Sequence, residues 1–224
     1  MEFQVNTWPL LGVAVLTLDN VLIAPKVNEL LATFIVLFFS KFLGFVFILI
    51  TVWVYYFFRD PERYCINDDS YLVSPADGLI TDISEKSGPE ELRLENTTFT
   101  KISVFMNVFN CHVNRVPSSG KIEEIFYKPG KFLNASLDKA SEENERNYFK
   151  VKLNNGEEII IVQIAGLIAR RIVCEVEQGQ ELKQGDRIGM IRFGSRVDIY
   201  FKNKKVLAKL GQNVVAGESL LASE

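Results

Sequence analysis

The sequence is poor in the residues from which metal and redox sites are built. Its 224 residues include one histidine, His112, so a metal site with several histidine ligands is excluded, and imidazole chemistry must use that residue. Cys65, Cys111 and Cys174 are far apart and form no Cys-x-x-Cys pair, which favours a reducing compartment without structural zinc. With a net charge of −3 and no basic block, the chain lacks the pattern of a nucleic-acid-binding protein.

Charge is almost absent from one N-terminal stretch. Residues 31–58 carry a single charge, Lys41, and eight of the 17 phenylalanines. This stretch is long enough to cross a hydrocarbon core of about 30 Å. The aromatic side chains of residues 53–56 lie near its end, where an aromatic belt is expected. We therefore predict a membrane helix; the alternative is a buried core helix, but few soluble helices are apolar on every face.

A second apolar segment, residues 8–24, precedes this helix and is interrupted only at Asp19 and Asn20. It could be another span, a re-entrant piece or an interfacial helix. Because Arg59 and Arg63 follow the main apolar run at once, the positive-inside rule places the rest of the chain on the cytoplasmic side of the cell membrane.

From Arg59 onward the composition is that of a soluble β-rich domain, with 23 Lys and Arg and 25 Asp and Glu. Short apolar runs predict strands at residues 102–109, 157–164, 172–176 and 197–202. The sequence Asn-Asn-Gly at 154–156 predicts a hairpin turn, and residues 132–146 are the one segment with a helical pattern.

One internal repeat indicates the architecture. Residues 179–186 and 211–218 share the frame Gly-Gln-x-aliphatic-x-x-Gly-acid, 32 residues apart. Paired glycines around a short strand suit tight turns between two sheets, as in barrel-sandwich domains of the biotinyl/lipoyl type. The lysine hairpin of those carrier domains is missing, so the repeat predicts architecture only. The predicted fold is mainly β (α+β), with a membrane anchor at 1–58 and a barrel-sandwich domain with one short helix at 59–224.

Four places could carry chemistry. Asp77 lies in the turn Ser-Pro-Ala-Asp-Gly at 74–78, where it is either a turn former or a base. His112 ends an apolar strand among polar neighbours and is either structural or catalytic. Arg170 and Arg171, adjacent within an apolar stretch, either bind an anion or form surface ion pairs. The dipeptide Gly194-Ser195 between apolar strands would by itself indicate only a bend.

In combination and in this order, these motifs resemble phosphatidylserine decarboxylases of the short, archaeal-type form. The resemblance rests on Phe-Arg-Asp-Pro-Glu-Arg at 58–63 and on the segments 74–78, 112–117, 129–132, 144–146, 164–173 and 192–198. Each piece is unspecific, but the set covers most of the chain and is highly specific.

The resemblance implies a pyruvoyl-dependent enzyme that is made as a proenzyme. The hydroxyl of Ser195 would attack the Gly194 carbonyl, and the resulting ester would break by β-elimination. A large chain, 1–194, would remain associated with a small chain, 195–224, which begins with a pyruvoyl group derived from Ser195. That group would form a Schiff base with phosphatidylserine and release CO2, giving phosphatidylethanolamine. Neither a metal nor an external cofactor is implied, and a homodimer is a reasonable expectation.

By matching positions, Asp77 is the expected base for self-cleavage, and His112 is the expected proton donor or carboxylate partner in decarboxylation. Longer family members have His-x-x-His-x-Pro, and their second histidine belongs to the processing triad; here that position is Arg115. Either His112 serves both steps, or Asp77 acts with a strained turn and Arg115. Arg115, Arg170 and Arg171 are candidate contacts for the lipid phosphate or carboxylate.

Three alternatives remain open at this level. The substrate could be an archaeal ether lipid, which would make the protein an archaetidylserine decarboxylase. The chain could be a non-cleaving, membrane-anchored barrel-sandwich scaffold. It could also be a degenerate family member that no longer cleaves itself, since Arg115 replaces a histidine.

Overall fold

The apolar N-terminal segment is helical. A computed structural model describes residues 25–131, 143–166, 171–192 and 195–224, and the chain divides into two compact units, Met1–Val54 and Tyr55–Glu224. Helix α1 (Pro25–Phe57) contains, at Leu30–Phe57, the one helix in the described ranges that is long and apolar enough to cross a membrane. Its mean hydropathy is 2.5 and its most apolar window is exposed. The second apolar segment, residues 8–24, lies outside the described residues.

The second unit is built of short strands. They are β1 (Tyr71–Val73), β2 (Gly78–Ser87), β3 (Thr98–Met106), β4 (Val113–Arg115), β5 (Gly120–Lys128), β6 (Arg146–Leu153), β7 (Glu158–Ile164), β8 (Ile172–Cys174), β9 (Glu181–Leu182), β10 (Arg187–Ile191), β11 (Ser195–Phe201), β12 (Lys205–Val206), β13 (Asn213–Val214) and β14 (Leu220–Ser223). A single 3-10 turn, Glu90–Leu92, separates β2 from β3.

Eight of these strands form one curled sheet in the order β13-β2-β3-β11-β7-β6-β5-β9. Two three-stranded sheets, β1-β14-β12 and β4-β10-β8, accompany it. Strand alternation divides the apolar side chains between the faces of the large sheet. Val197, Ile199 and Phe201 of β11 belong to the main core, whereas Ile160 and Val162 of β7 belong to a smaller cluster with Phe99.

The two copies of the repeat occupy equivalent places. Their short strands, β9 and β13, are the two edges of the large sheet. The Gly179 amide donates to the Ile122 carbonyl at 2.8 Å, and the Gly211 amide donates to the Ile80 carbonyl at 2.9 Å. In each copy the glutamine side chain accepts a hydrogen bond from the amide three residues earlier, at 3.0 Å in both cases. This contact explains why glutamine follows the first glycine of the frame.

The segments that these repeats bind are also equivalent. The Val73 amide donates to the Pro117 carbonyl and the Arg115 amide donates to the Pro75 carbonyl, each at 2.9 Å, as a local two-fold relation requires. We call residues 74–80 together with 211–218 the acidic half, because they include Asp77. We call residues 116–122 together with 179–186 the serine half, because Ser119 there occupies the position that matches Asp77.

The four predicted strands and the hairpin turn are confirmed: β3, β7, β8 and β11 overlap the predicted ranges, and β6 and β7 form an antiparallel pair around Gly156. The end of the predicted helix is wrong. Asn144 forms a bridge with Lys131, and Arg146 begins β6. The Asn144 amide donates to the Ala165 carbonyl at 2.7 Å, so a tertiary contact overrides the local preference. Residues 132–142 of that prediction lie outside the described residues.

Candidate active site

Ser195 begins β11, a central strand of the large sheet, and its backbone is paired with Met106 of β3. The residue is fully buried, and within the described part of the chain its hydroxyl oxygen has no hydrogen-bond partner. Leaving a buried hydroxyl unpaired costs about 1–3 kcal/mol, so the position calls for an explanation, of which a catalytic role is one. Gly194, the other residue of the predicted cleavage site, lies outside the described residues.

Asp77 lies two strands away at the same end of the sheet. It precedes β2, and β2 and β11 flank β3 on opposite sides. A Cβ at Gly78 would collide with the Phe105 carbonyl oxygen, so the turn after Asp77 depends on a glycine there. One carboxylate oxygen of Asp77 accepts the Ala216 amide, and the other is paired with Arg63, both at 2.8 Å. The predicted turn role of Asp77 is confirmed, since its carboxylate caps the turn of the repeat; its role as a base stays a prediction.

His112 is fully buried immediately before β4. Its Nδ1 lies 3.0 Å from the Asn110 carbonyl oxygen, and its ring packs against Phe57 with 4.4 Å between centroids. Burial lowers the pKa of His112 to about 4, so the imidazole is neutral at pH 7. Because a carbonyl oxygen only accepts, Nδ1 carries the proton, and Nε2 is the basic nitrogen.

Local contacts bring His112 towards the other two residues. The Ile191 amide, four residues before Ser195, donates to the His112 carbonyl at 3.3 Å. The charge of Asp77 raises the pKa of His112, whereas that of Arg59 lowers it, both against the larger effect of burial. The structure thus gathers Ser195, Asp77 and His112 at one end of the domain.

The arginines predicted to bind substrate differ in their surroundings. Arg115 is held by Asp60 at 2.6 Å and by the Gly185 carbonyl at 3.0 Å. Arg171 is exposed, and its carbonyl accepts the Arg192 amide at 3.1 Å, close in sequence to the cleavage site. Arg170 lies outside the described residues.

Sequence reasoning missed several groups that shape the site. Arg63, the partner of Asp77, was considered only as a charge after the membrane helix and as part of the motif at 58–63, without a role in the site. A buried amide set is also present, in which Gln163 donates to Asn114 at 2.8 Å and Asn147 lies 3.4 Å from Gln163. Asn114 also donates to the sulfur of Met106, the residue opposite Ser195, at 3.7 Å. A glutamine within the otherwise apolar run of β7 was the available signal.

Among the described residues, no group of three histidine, cysteine, aspartate or glutamate side chains could hold a metal ion. The site offers a buried hydroxyl, a neutral imidazole and an ion-paired carboxylate. These are the groups needed for acyl transfer to a serine oxygen.

Comparison with known proteins identifies the family of the chain. The family model described as phosphatidylserine decarboxylase matches residues 50–222. A protein of Pelagibacter ubique named phosphatidylserine decarboxylase proenzyme is 66% identical over 83% of this chain and 86% of its own length. Proteins with the same name from Ruegeria pomeroyi and Rickettsia akari are 52% and 48% identical, over 80% and 86% of this chain and 83% and 84% of their own lengths. The chain belongs to the phosphatidylserine decarboxylase family.

Proposed function

We propose that this protein is a phosphatidylserine decarboxylase that cleaves itself between Gly194 and Ser195 and uses the resulting pyruvoyl group. The observation that carries the proposal is the buried hydroxyl of Ser195, which begins a central strand and has no hydrogen-bond partner among the residues that the structure describes, in a chain of this family. A serine oxygen without another partner is available to attack the preceding carbonyl.

The self-cleavage step is an acyl shift followed by an elimination. The Ser195 oxygen bonds to the Gly194 carbonyl carbon, and the peptide C–N bond breaks, which leaves an ester and a free amine on residue 195. Loss of the α-proton of residue 195 then breaks the Cβ–O bond and releases the Gly194 carboxylate. Hydrolysis of the remaining dehydroalanine releases ammonia and leaves the pyruvoyl group on chain 195–224.

We assign His112 a role in both self-cleavage and decarboxylation, and in self-cleavage it is the base. Its Nε2 accepts the Ser195 proton, and the low pKa of the ring makes it a ready donor to the departing amine. Asp77, kept in place by Arg63 and the Ala216 amide, stabilises the transient imidazolium. The Arg115 guanidinium is paired with Asp60, so we assign it a structural role. We therefore assign to His112 the processing role that the second histidine has in longer members.

The two product chains are expected to stay together. Strand β11 is hydrogen-bonded on both sides, to β3 and β7, along its length. Strands β13 and β14 of the small chain pair with β2 and β1 of the large chain. Removing the small chain would therefore break the large sheet and one small sheet.

The pyruvoyl carbonyl supplies the electron sink for decarboxylation, as other carbonyl cofactors do. The residues of the chain bind and orient the lipid around it. Exposed Arg171 is the candidate contact for the lipid phosphate, and Arg170 is a second. We assign to Nε2 of His112, the unprotonated nitrogen, the transfer of a proton to the substrate carbon: it takes up the proton that the lipid ammonium group loses and returns it after CO2 has left.

The test is conversion of phosphatidylserine labelled at the serine carboxyl carbon by the detergent-solubilised full-length protein. We expect labelled CO2 from the native protein, and neither cleavage nor CO2 from Ser195→Ala. Activity in that variant would overturn the pyruvoyl assignment. Intact native chains without any CO2 release would instead favour the scaffold or the degenerate member, and a preference for ether-linked lipid would favour an archaetidylserine decarboxylase.

The sidedness of the domain has its own test. We propose that α1 anchors the domain on the cytoplasmic face of the cell membrane, because Arg59 and Arg63 follow the span directly. Cys174 is exposed and is a natural probe. A membrane-impermeant thiol reagent should label it in inverted vesicles but not in intact cells, with Cys174→Ser as the control; the opposite pattern would reverse the orientation.

A further inference from the structure

We propose that the turn at residues 107–110 is a second membrane contact, in which the Phe109 side chain inserts into the headgroup layer of the bilayer. The partner is a lipid surface, and the proposal rests on the proposed membrane location of the domain. This contact would let a lipid molecule enter the active site while it remains in the plane of the membrane.

The turn presents Phe109 to solvent in a fixed conformation. The Asn107 side-chain oxygen accepts the Phe109 amide, and the Asn110 side-chain oxygen accepts the Asn107 amide, both at 2.9 Å. The Asn110 amide donates back to the Asn107 carbonyl at 3.0 Å. Although the backbone is closed on itself, the Phe109 ring is 63% exposed. A rigid turn that holds an aromatic ring outward is suited to insertion, because little conformational entropy is lost on binding.

Direct contacts tie this turn to the end of the candidate span. The Arg59 guanidinium donates to the Phe109 carbonyl and to the Tyr56 carbonyl, each at 2.9 Å. The Cys111 thiol donates to the Arg59 carbonyl at 3.3 Å. Since Arg59 is two residues beyond the last residue of α1, Phe109 lies within one side-chain length of the point where the chain would leave the bilayer.

The side chains around Phe109 are complementary to an anionic lipid surface, because they combine positive charge with exposed aromatic rings. Phe58 is 41% exposed, and the Arg192 guanidinium lies 5.9 Å from its ring centre. The Arg59 guanidinium lies 3.8 Å from the Tyr56 ring centre. Aromatic rings and arginines side by side are the composition of membrane-interface segments. Phe109 adds another exposed aromatic side chain to this group within the unit Tyr55–Glu224.

The position also serves the reaction. His112 lies two residues after the turn, and Arg192 lies two residues before Gly194. Contact of Phe109 with the bilayer would therefore bring the buried imidazole and the start of β11 close to the headgroups. A lipid would then reach the site without leaving the membrane plane.

Tryptophan fluorescence tests the contact without using activity. In a Trp8→Phe, Trp53→Phe background, the full-length Phe109→Trp protein is placed in phosphatidylcholine–phosphatidylglycerol vesicles whose phosphatidylcholine carries bromine on its acyl chains. The matched control is Asn155→Trp, at the exposed hairpin between β6 and β7 at the other end of the sheet. We expect strong quenching and a blue-shifted emission at position 109 and neither at 155. Equal, weak quenching at both positions would overturn the proposal.

A kinetic measurement covers the case in which Phe109→Trp does not fold. Phe109→Ser should cleave itself normally but show a KM for phosphatidylserine in mixed micelles raised about tenfold, from the lost apolar insertion. Phe109→Leu should restore most of the affinity. An unchanged KM in Phe109→Ser would contradict the membrane contact. If quenching is found in a chain that never decarboxylates, the proposed function fails while the contact stands.

Discussion

The two halves of the β domain have the same backbone plan but different chemistry. In the serine half, the Ser119 hydroxyl accepts the Gln184 amide at 3.1 Å. In the acidic half, Asp77 accepts the matching Ala216 amide at 2.8 Å. Each side chain thus caps the tight turn that the repeat makes against it.

The comparison separates the structural role of Asp77 from its charge. Ser119 shows that one neutral oxygen is enough to satisfy the turn. The second carboxylate oxygen of Asp77 is not needed for that purpose, and it is paired with Arg63. The charge of Asp77 raises the pKa of the buried His112, so the charge is the part of Asp77 that we assign to the reaction.

Replacing Asp77 by serine, the residue at the matching position of the serine half, should have the largest effect on the rate of self-cleavage. Asp77→Ser keeps an oxygen for the Ala216 amide but removes the charge that stabilises the imidazolium. We expect self-cleavage to slow by about 10²–10³-fold, the usual cost of losing one such electrostatic group. Gel analysis of newly made protein over time measures it. Cleavage at the native rate would remove Asp77 from the mechanism.

The next largest effect should be a loss of folding stability at low pH, because His112 is neutral in the folded protein. Its folded pKa of about 4 is below the unfolded value of 6.5. The unfolded chain therefore binds the additional proton between these values, and stability falls as the pH drops from about 6.5 to about 4. The shift corresponds to about 3 kcal/mol. Melting curves in a Ser195→Ala background should show this loss, and His112→Gln should largely remove it; identical pH dependence in both would contradict the buried neutral imidazole.

Loosening the acidic half without removing its charge should have an intermediate effect. In Arg63→Gln the Asp77 carboxylate keeps its charge and the Ala216 amide but loses its ion pair. We expect self-cleavage to slow by roughly tenfold, the equivalent of one charge-assisted hydrogen bond. The control is Arg187→Gln, which removes the partly exposed ion pairs with Asp60 and Glu175 and should leave the cleavage rate unchanged. Equal rates in both variants would make Arg63 a structural residue only.

The smallest effect is expected in the serine half. Ser119→Ala removes the acceptor of the Gln184 amide, so the free energy of unfolding should fall by about 1 kcal/mol. Because this half carries no reacting group, its cleavage rate should equal that of the native protein. A cleavage defect as large as that of Asp77→Ser would show that the turn, and not the charge, is what the reaction requires.

Sequence reasoning reached the architecture because its signals were local and strong. The glycine-framed repeat predicted short strands at related turns, and both copies form sheet edges. The Asn-Asn-Gly turn and the alternating strands depend on near neighbours. The short helix was predicted from local pattern as well, but Asn144 is held by Ala165 across the fold, which no local pattern reveals.

The site could be predicted only in part, because contacts between distant segments are not visible in local sequence patterns. Ser195, Asp77 and His112 were found through motifs, yet their surroundings depend on contacts between distant segments. Arg63 meets Asp77 14 residues later, and Ala216 reaches it across 139 residues. The loss of the His112 charge depends on burial, which the sequence does not state. Arg115 was a candidate substrate contact, but its pairing with Asp60 became visible only in three dimensions.

The most direct test of the account is the intact mass of the purified full-length protein together with its reactivity towards a hydrazine reagent. Self-cleavage predicts two chains of about 22 and about 3.4 kDa, in proportion to residues 1–194 and 195–224. The small chain should lack an N-terminal amine and add one hydrazine. A single species of 25.5 kDa with no reaction, from a preparation that nevertheless decarboxylates phosphatidylserine, would contradict the account.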